Sequence, residues 1–326
     1  MVRTYEYLRE ELLEMGYKVR VIGPSDFPRS FPMPGYNEIR LVLFPYTRLR
    51  RMITEYDPGL IHIATEGPIG MAARKYCENY GVEFTSCYHT HFPDYAAKRA
   101  AKYLPFMEAP VRMLGIAFVR KFHSISSCVF AATQSLEATL RSWKFKAPIK
   151  RMTRGIEHAV FHTGPKNLFS DLKKPVALFV GRIAIEKNLD EFLKMEWHGS
   201  KVLVGDGPDF ATMKSKYPDA HFVGVKKKKD LADHYRSADL FVFPSKTDTF
   251  GMVLVEAMAC GLPVAAYPVT GPIDIITEGY LGALNDDLGK AATEALKFPD
   301  EGERRSAHAR ENYSWHKAAR QFLETD

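Results

Sequence analysis

The chain has 326 residues, enough for two compact domains of about 150 residues each. Hydrophobic residues make up 46% and charged residues 26%, a balance that excludes disorder, collagen and coiled coil as the main description. The formal net charge of +6 is mild but unevenly placed, and apolar stretches fall well short of the ~20 residues that a membrane-spanning helix needs.

In chain order, Tyr5, Leu8, Leu12 and Met15 recur at helical spacing, so an amphipathic helix opens the chain and Gly16 ends it. The N-terminus has no apolar signal core, so export by that route is not expected. Strand-like runs follow at Val19 to Ile22, Ile39 to Phe44, Leu60 to Ile63, Val82 to Cys87 and Cys128 to Ala132, with a helical pattern over Gly67 to Asn79. Pro148 to Lys174 is Gly- and Pro-punctuated and reads as a connector, which sets an N-terminal domain at 1–150 and a linker at 151–174. The alternation then restarts over 175–312. Apolar runs lie at Val176 to Val180, Lys201 to Val204, His221 to Val223, Leu240 to Phe243 and Val264 to Tyr267. Helices fit Leu189 to Met195, Asp230 to Ser237 and Phe250 to Cys260. Strands alternating with helices argue for α/β, as two doubly wound Rossmann-like domains. An α/β domain normally begins with a strand, whereas this chain begins inside a helix. The expectation is that a first strand and its turn are missing, or that this domain is built differently.

The four cysteines, Cys77, Cys87, Cys128 and Cys260, form no C-x-x-C pair and fit a cytosolic chain with reduced thiols. Cys87 and Cys128 sit in strand-like runs and are expected to be buried hydrophobes. Between Tyr95 and Ser127, Lys98, Arg99, Lys102, Arg112, Arg120 and Lys121 face Glu108 alone, which points to an anionic partner surface.

Four segments carry possible chemistry. Gly181 to Asn188 follows a strand, where open α/β sheets bind ligands, and its Arg182 and Lys187 are suited to converge on a phosphate. Pro244 to Gly251 also follows a strand and leads into a helix N-terminus, whose free N–H groups suit a diphosphate. Asp248 and Glu256 stand eight residues apart, about 12 Å were the span wholly helical. Two readings stay open for each: hydroxyl acceptors on one ligand, or an N-cap and a solvated helix residue. Tyr88 to Asp94 holds His89 and His91, whose i, i+2 spacing does not make a zinc site. A strand-end histidine suits orienting or protonating a substrate group, and a backbone-bonded loop histidine is the alternative. Thr65-Glu66-Gly67-Pro68 opens a helix, with Thr65 or Glu66 expected as its cap and Glu66 also facing an interdomain cleft. The P-loop, the complete dinucleotide fingerprint, the nucleophile turn and any Asp-x-Asp triplet are absent, so no cofactor and no metal are indicated.

The segments Gly181-Arg182…Glu186-Lys187-Asn188, Val204 to Pro208, Ser237 to Ser245 and Asp248-Thr249-Phe250-Gly251…Glu256 to Val264 resemble, in order and spacing, glycosyltransferase family 4. The N-terminal half, through Ile61 to Pro68 and Tyr88 to Pro93, is similar to a branch that includes bacterial diacylglycerol glycosyltransferases and plant-type sulfoquinovosyl diacylglycerol synthases. The resemblance implies a GT-B fold, with the last helix (Ser314 to Leu323, within 313–326) crossing back to the first domain. It implies retaining, metal-independent hexosyl transfer from a nucleotide sugar, expected to be a UDP-sugar, onto a lipid, expected to be diacylglycerol. Arg182 and Lys187 match the pair that neutralises the diphosphate. Asp248 matches the acid that contacts the sugar, and Glu256 the acid that holds the ribose. Gly181, Thr249, Phe250 and Gly251 belong to the donor-binding set, the last two through backbone N–H groups. His89 matches a histidine that points at the transferred sugar, with Glu66 and His91 on the acceptor side.

The basic segment interleaves with Tyr103, Leu104, Phe106, Met107, Leu114, Ile116 and Phe118, as expected of a segment lying in a headgroup layer. The expected setting is therefore cytoplasmic, at the inner face of the membrane, without nucleic acid as partner. Pro105 and Pro110 argue against one unbroken helix there. A helix pair with a solvated cationic face stays open, as do another lipid or polysaccharide acceptor and a non-catalytic sugar-nucleotide binder.

Overall fold

The computed structural model describes residues 2–33, 36–89 and 91–324. The chain divides into two units, Met1–Thr153 with Trp315–Asp326, and Arg154–Ser314. The fold class is α/β, with a parallel sheet in each unit.

The first unit opens with the helix Val2–Glu14, whose Leu8 and Leu12 lie buried one turn apart. Gly16 follows at φ +90°, a left-handed value that glycine adopts without Cβ strain. Val19 to Ile22, expected as a strand, is irregular. Its apolar side chains pack instead of pairing: Val19 lies against the Leu8–Leu12 cluster and Ile22 against the cluster of Phe27, Met52 and Phe84. The run expected over Ile39 to Phe44 is part of an antiparallel pair, β1 (Ser30–Met33) with β2 (Tyr36–Val42), separate from the parallel sheet. That sheet is β3 (Ile61–Ile63), β4 (Phe84–Cys87), β5 (Cys128–Ala131) and β6 (Ile149–Arg151), parallel and in sequence order. Every residue of β4 and β5 is buried, as in a sheet covered on both faces, and Cys87 and Cys128 are part of that core. β6 forms inside the stretch whose composition reads as a connector. Three residues ending in Lys150 and Arg151 carry too little apolar pattern to announce a strand.

The helix Trp315–Leu323 belongs to this unit and packs on the opening helix. Trp315 stacks on Tyr7 with ring centres 5.3 Å apart, and Ala319 and Phe322 join Leu8, Leu12 and Phe130 in one cluster.

The second unit is a six-stranded parallel sheet of β7 (Ala177–Val180), β8 (Lys201–Val204), β9 (His221–Gly224), β10 (Leu240–Phe243), β11 (Val264–Ala266) and β12 (Gly282–Leu284). Its order is β12-β11-β10-β7-β8-β9. The order in which strands are added therefore reverses between β7 and β10, with β8 and β9 on one side and β11 and β12 on the other. Open α/β sheets bind ligands at such a point. β12 goes unannounced in the sequence because it is three residues long and begins with a glycine. Among the described residues, no helix is long and apolar enough to cross a membrane.

Candidate active site

The loops that leave β7, β8 and β10 are tied together by backbone and small side chains. Ile183 N–H donates to the Asp206 carbonyl at 2.9 Å, and Asp209 N–H donates to the Ile183 carbonyl at 3.1 Å. This lacing brings Gly205 so close that a Cβ there would lie 1.8 Å from the Gly181 carbonyl oxygen, at φ +141°. The loop then makes the short 3-10 turn Ile185–Lys187 and exits through Asn188 at φ +54°. The Asn188 amide donates to the Pro244 carbonyl at 3.2 Å, and the Ser245 hydroxyl to the Glu186 carbonyl at 3.4 Å. Asn188 and Ser245 therefore join the β7 loop to the β10 loop. The resemblance names neither as a ligand contact.

These ties bring two site residues together. Lys187 Nζ donates to both oxygens of Asp248, at 2.7 and 2.8 Å, with each side chain 18% exposed. The ammonium expected on a phosphate and the carboxylate expected on a sugar thus neutralise each other. Gly181 and Arg182 lie half-buried in the same loop.

The β10 loop enters the helix Met252–Ala259 through Gly251, which sits at φ +88° in the N-cap position. Asp248 is therefore not the cap. The span from Asp248 to Glu256 is helical only from Met252 onward, so a length of eight helical residues does not separate the two acids. The first-turn N–H groups lack intrahelical acceptors and form the positive end of the helix. Half-buried Thr249 and buried Phe250 precede them, with Phe250 packed edge-on against Tyr313 at 5.8 Å. Glu256 is neither solvated nor open: it is 5% exposed, and its Oε2 accepts from the buried Tyr235 hydroxyl at 2.9 Å. Tyr235, on the helix Lys228–Ser237, escaped the sequence reading because its spacing marks it only as part of that helix's apolar face.

In the first unit, His89 follows β4, and its Nε2 lies 2.6 Å from the Tyr5 hydroxyl. The same hydroxyl is 2.8 Å from His62 Nε2, and His62 Nδ1 is 2.8 Å from Thr85 Oγ1. A chain of four polar side chains thus runs from β4 through β3 and the opening helix to His89. His91 is 6% exposed, flanked by the rings of Tyr88 and Trp143, with Nδ1 3.5 Å from Asp94. Thr65 and Glu66 do not cap the helix Pro68–Tyr80. Gly67 occupies the N-cap position without a side-chain bond, and Glu66 Oε1 instead accepts from His123 Nε2 at 3.0 Å.

The basic segment forms two helices, Phe92–Tyr103 and Glu108–His123, broken by a short turn at Pro105–Met107, with Pro110 in the first turn of the second. Gly115, Val119 and Phe122 face inward, and a Cβ at Gly115 would come within 2.8 Å of Pro93. Leu104, Phe106, Met113 and Leu114 are 50 to 72% exposed, whereas Ile116 packs inward. Arg99 and Lys121 are exposed, and Lys98 and Arg120 half-buried. Arg112 pairs with Asp94 at 2.7 Å, and the side chain of Lys102 lies outside the described residues. Among the described residues, no group of three or more His, Cys, Asp or Glu is placed to hold a metal ion.

Comparison with known proteins adds the following. Residues 1–160 match the family model "Glycosyltransferase Family 4", and residues 162–312 match "Glycosyl transferases group 1". A GDP-mannose-dependent alpha-mannosyltransferase of Mycobacterium tuberculosis is 30% identical over 284 residues, covering 85% of this chain and 71% of that protein. Sulfoquinovosyl transferase SQD2 of Arabidopsis thaliana is 30% identical over 302 residues, covering 86% of this chain and 55% of that protein. An alpha-monoglucosyldiacylglycerol synthase of Streptococcus pneumoniae is 25% identical, with 82% and 65% covered. Among solved structures, a sucrose-phosphate synthase of Thermosynechococcus elongatus superposes with a TM-score of 0.75 over 97% of this chain and 90% of that one, at 21% identity.

Proposed function

The chain belongs to the family 4 glycosyltransferases, with the GT-B fold, and from that membership we propose that it transfers a hexose from a UDP-sugar to diacylglycerol at an anionic membrane surface. The observation that carries the donor half is the pair of laced loops at the β7–β10 reversal, which joins Lys187 to Asp248 just ahead of a helix N-terminus.

In this reading Arg182, Lys187 and the N–H groups of Phe250 and Gly251 bind the diphosphate. They stabilise the charge that builds on its departing oxygen, which is electrostatic catalysis. The sugar C1–oxygen bond breaks with its electron pair going to the diphosphate. The acceptor hydroxyl oxygen bonds to C1 on the same face, and its proton goes to the departing diphosphate. Asp248 binds sugar hydroxyls, Glu256 the ribose, and His89 the transferred sugar. No step requires a metal ion, so EDTA leaves the rate unchanged.

The acceptor half is supported by the helix pair 92–123, whose outward side chains combine exposed apolar residues with cations. Each Lys or Arg near an anionic surface contributes about 1 kcal/mol, and the apolar tips add burial in the headgroup layer. The relative named alpha-monoglucosyldiacylglycerol synthase points the same way. A second donor, GDP-mannose, is favoured by the name of the mycobacterial relative.

Lys187→Ala tests the reading. We expect transfer to fall about 10²- to 10³-fold, the usual effect of removing one charge-stabilising donor, with sedimentation on anionic vesicles unchanged. Unchanged turnover would remove Lys187 from the mechanism.

A further inference from the structure

His123 is 1% exposed, yet both of its ring nitrogens are bonded: Nδ1 lies 2.8 Å from Ser86 Oγ and Nε2 lies 3.0 Å from Glu66 Oε1. Ser86 Oγ in turn lies 2.8 Å from Ser126 Oγ. The chemistry of the groups sets the direction of this chain. An ionised carboxylate only accepts, so Nε2 donates to Glu66. With one proton on the ring, Nδ1 accepts from the Ser86 hydroxyl, and the Ser86 oxygen then accepts from Ser126. Aromatic walls hold the imidazole, with Phe122 edge-on at 4.9 Å and Phe145 stacked at 5.5 Å.

This construction serves one carboxylate. Glu66 does not cap the helix that follows it, and its side chain keeps 19% exposure at the carboxyl end of β3. Oε1 is committed to His123, while Oε2 accepts no hydrogen bond among the described residues. Beside His123, the Tyr88 hydroxyl is fully buried without a hydrogen-bond partner among the described residues, an uncommon state for a native polar group. The polar groups here exceed what the fold itself uses.

We infer that His123 is a positioning residue that holds Glu66 with Oε2 directed to accept the hydrogen bond of the acceptor hydroxyl. The inference rests on the reading that the first unit carries the acceptor. A carboxylate fixed before the acceptor arrives sets the hydroxyl's orientation without being reordered itself, and a misplacement of about 1 Å costs up to about 100-fold in rate.

The experiment compares His123→Phe and His123→Gln with the wild-type chain. Each receives UDP-glucose or GDP-mannose, whichever the wild type consumes, with free glycerol or diacylglycerol as the hydroxyl and water as competitor. His123→Phe keeps ring volume and removes the donor, whereas the His123→Gln amide restores an N–H near Nε2. We expect His123→Phe to lower glycerol transfer relative to donor hydrolysis about tenfold and to raise the KM for glycerol, with the KM for donor unchanged. His123→Gln retains the wild-type ratio within about threefold. Donor hydrolysis at the wild-type rate in both variants certifies folded protein. A wild-type ratio in His123→Phe overturns the inference, as does an equal loss in the two variants. Because glycerol reports the hydroxyl step by itself, glycerol transfer without diacylglycerol transfer refutes the lipid reading alone.

Discussion

Lys187 and Asp248 enclose each other's charge, so under the proposed function a diphosphate competes with Asp248 for the same ammonium. A ligand that binds only the opened arrangement loses affinity by the fraction of time the pair is open. Asp248→Ala is therefore expected to bind bare UDP about three- to tenfold more tightly by calorimetry, while transfer falls because the sugar loses its carboxylate. Weaker UDP binding would show that Asp248 supports the diphosphate instead of competing for it. Tyr5 offers a second test at this scale. Its hydroxyl joins His62 to His89, so Tyr5→Phe removes that link and is expected to lower kcat about tenfold. Lys187, Asp248 and His89 were legible as residue types at strand ends. Their partners were not: Tyr5 and His89 are 84 positions apart, and Lys187 and Asp248 are 61 apart. Local spacing carries no information about such pairs, which tertiary packing brings together.

Elements follow the same division. Runs buried on both faces, such as β5, β7 and β10, announce themselves because nearly every residue is apolar. Three-residue strands such as β6 and β12 do not, and Val19 to Ile22 misleads because core packing and ladder pairing select the same side chains. Backbone demands are visible where a glycine is forced. Gly205→Ala would place a methyl group 1.8 Å from the Gly181 carbonyl at φ +141°. Left-handed strain of about 1–3 kcal/mol plus this clash is expected to lower the urea midpoint and, under the proposed function, transfer activity with it. A wild-type midpoint would show that the β7–β8 lacing relaxes freely. The helix pair 92–123 predicts a surface effect without a fold effect. Replacing Lys98, Arg99 and Lys102 with Ala, or Phe106 and Leu114 with Ser, should weaken sedimentation with anionic vesicles at unchanged thermal stability. Unchanged sedimentation in both variants removes this surface as the membrane contact.

The whole molecule carries an acid sensitivity located in its second unit. Burial lowers the pKa of His158, His234 and His308 below the ordinary 6.5, so each favours its neutral form when folded. Below about pH 6.5 the unfolded chain binds protons that the folded chain does not. Stability is thus full above that value and is lost as pH falls through the lowered folded values. The thermal transition of residues 154–314 is expected to drop between pH 7 and 5.5, and a transition independent of pH would show these rings to be solvated. At this scale, the fold class was legible because alternating strands and helices leave few topologies. The reversal of strand order at β7 and β10, where the laced loops lie, is a property of pairing that no single run encodes.

The most direct test of the account mixes the purified chain with diacylglycerol in anionic vesicles and a panel of UDP-glucose, UDP-galactose, UDP-glucuronate, UDP-sulfoquinovose and GDP-mannose. Mass spectrometry of the extracted lipid reads the product. The expected result is a diacylglycerol carrying one added sugar, formed from a UDP-sugar, with the product lowered about 10²- to 10³-fold in Lys187→Ala. UDP bound with no glycolipid formed from any donor would contradict it.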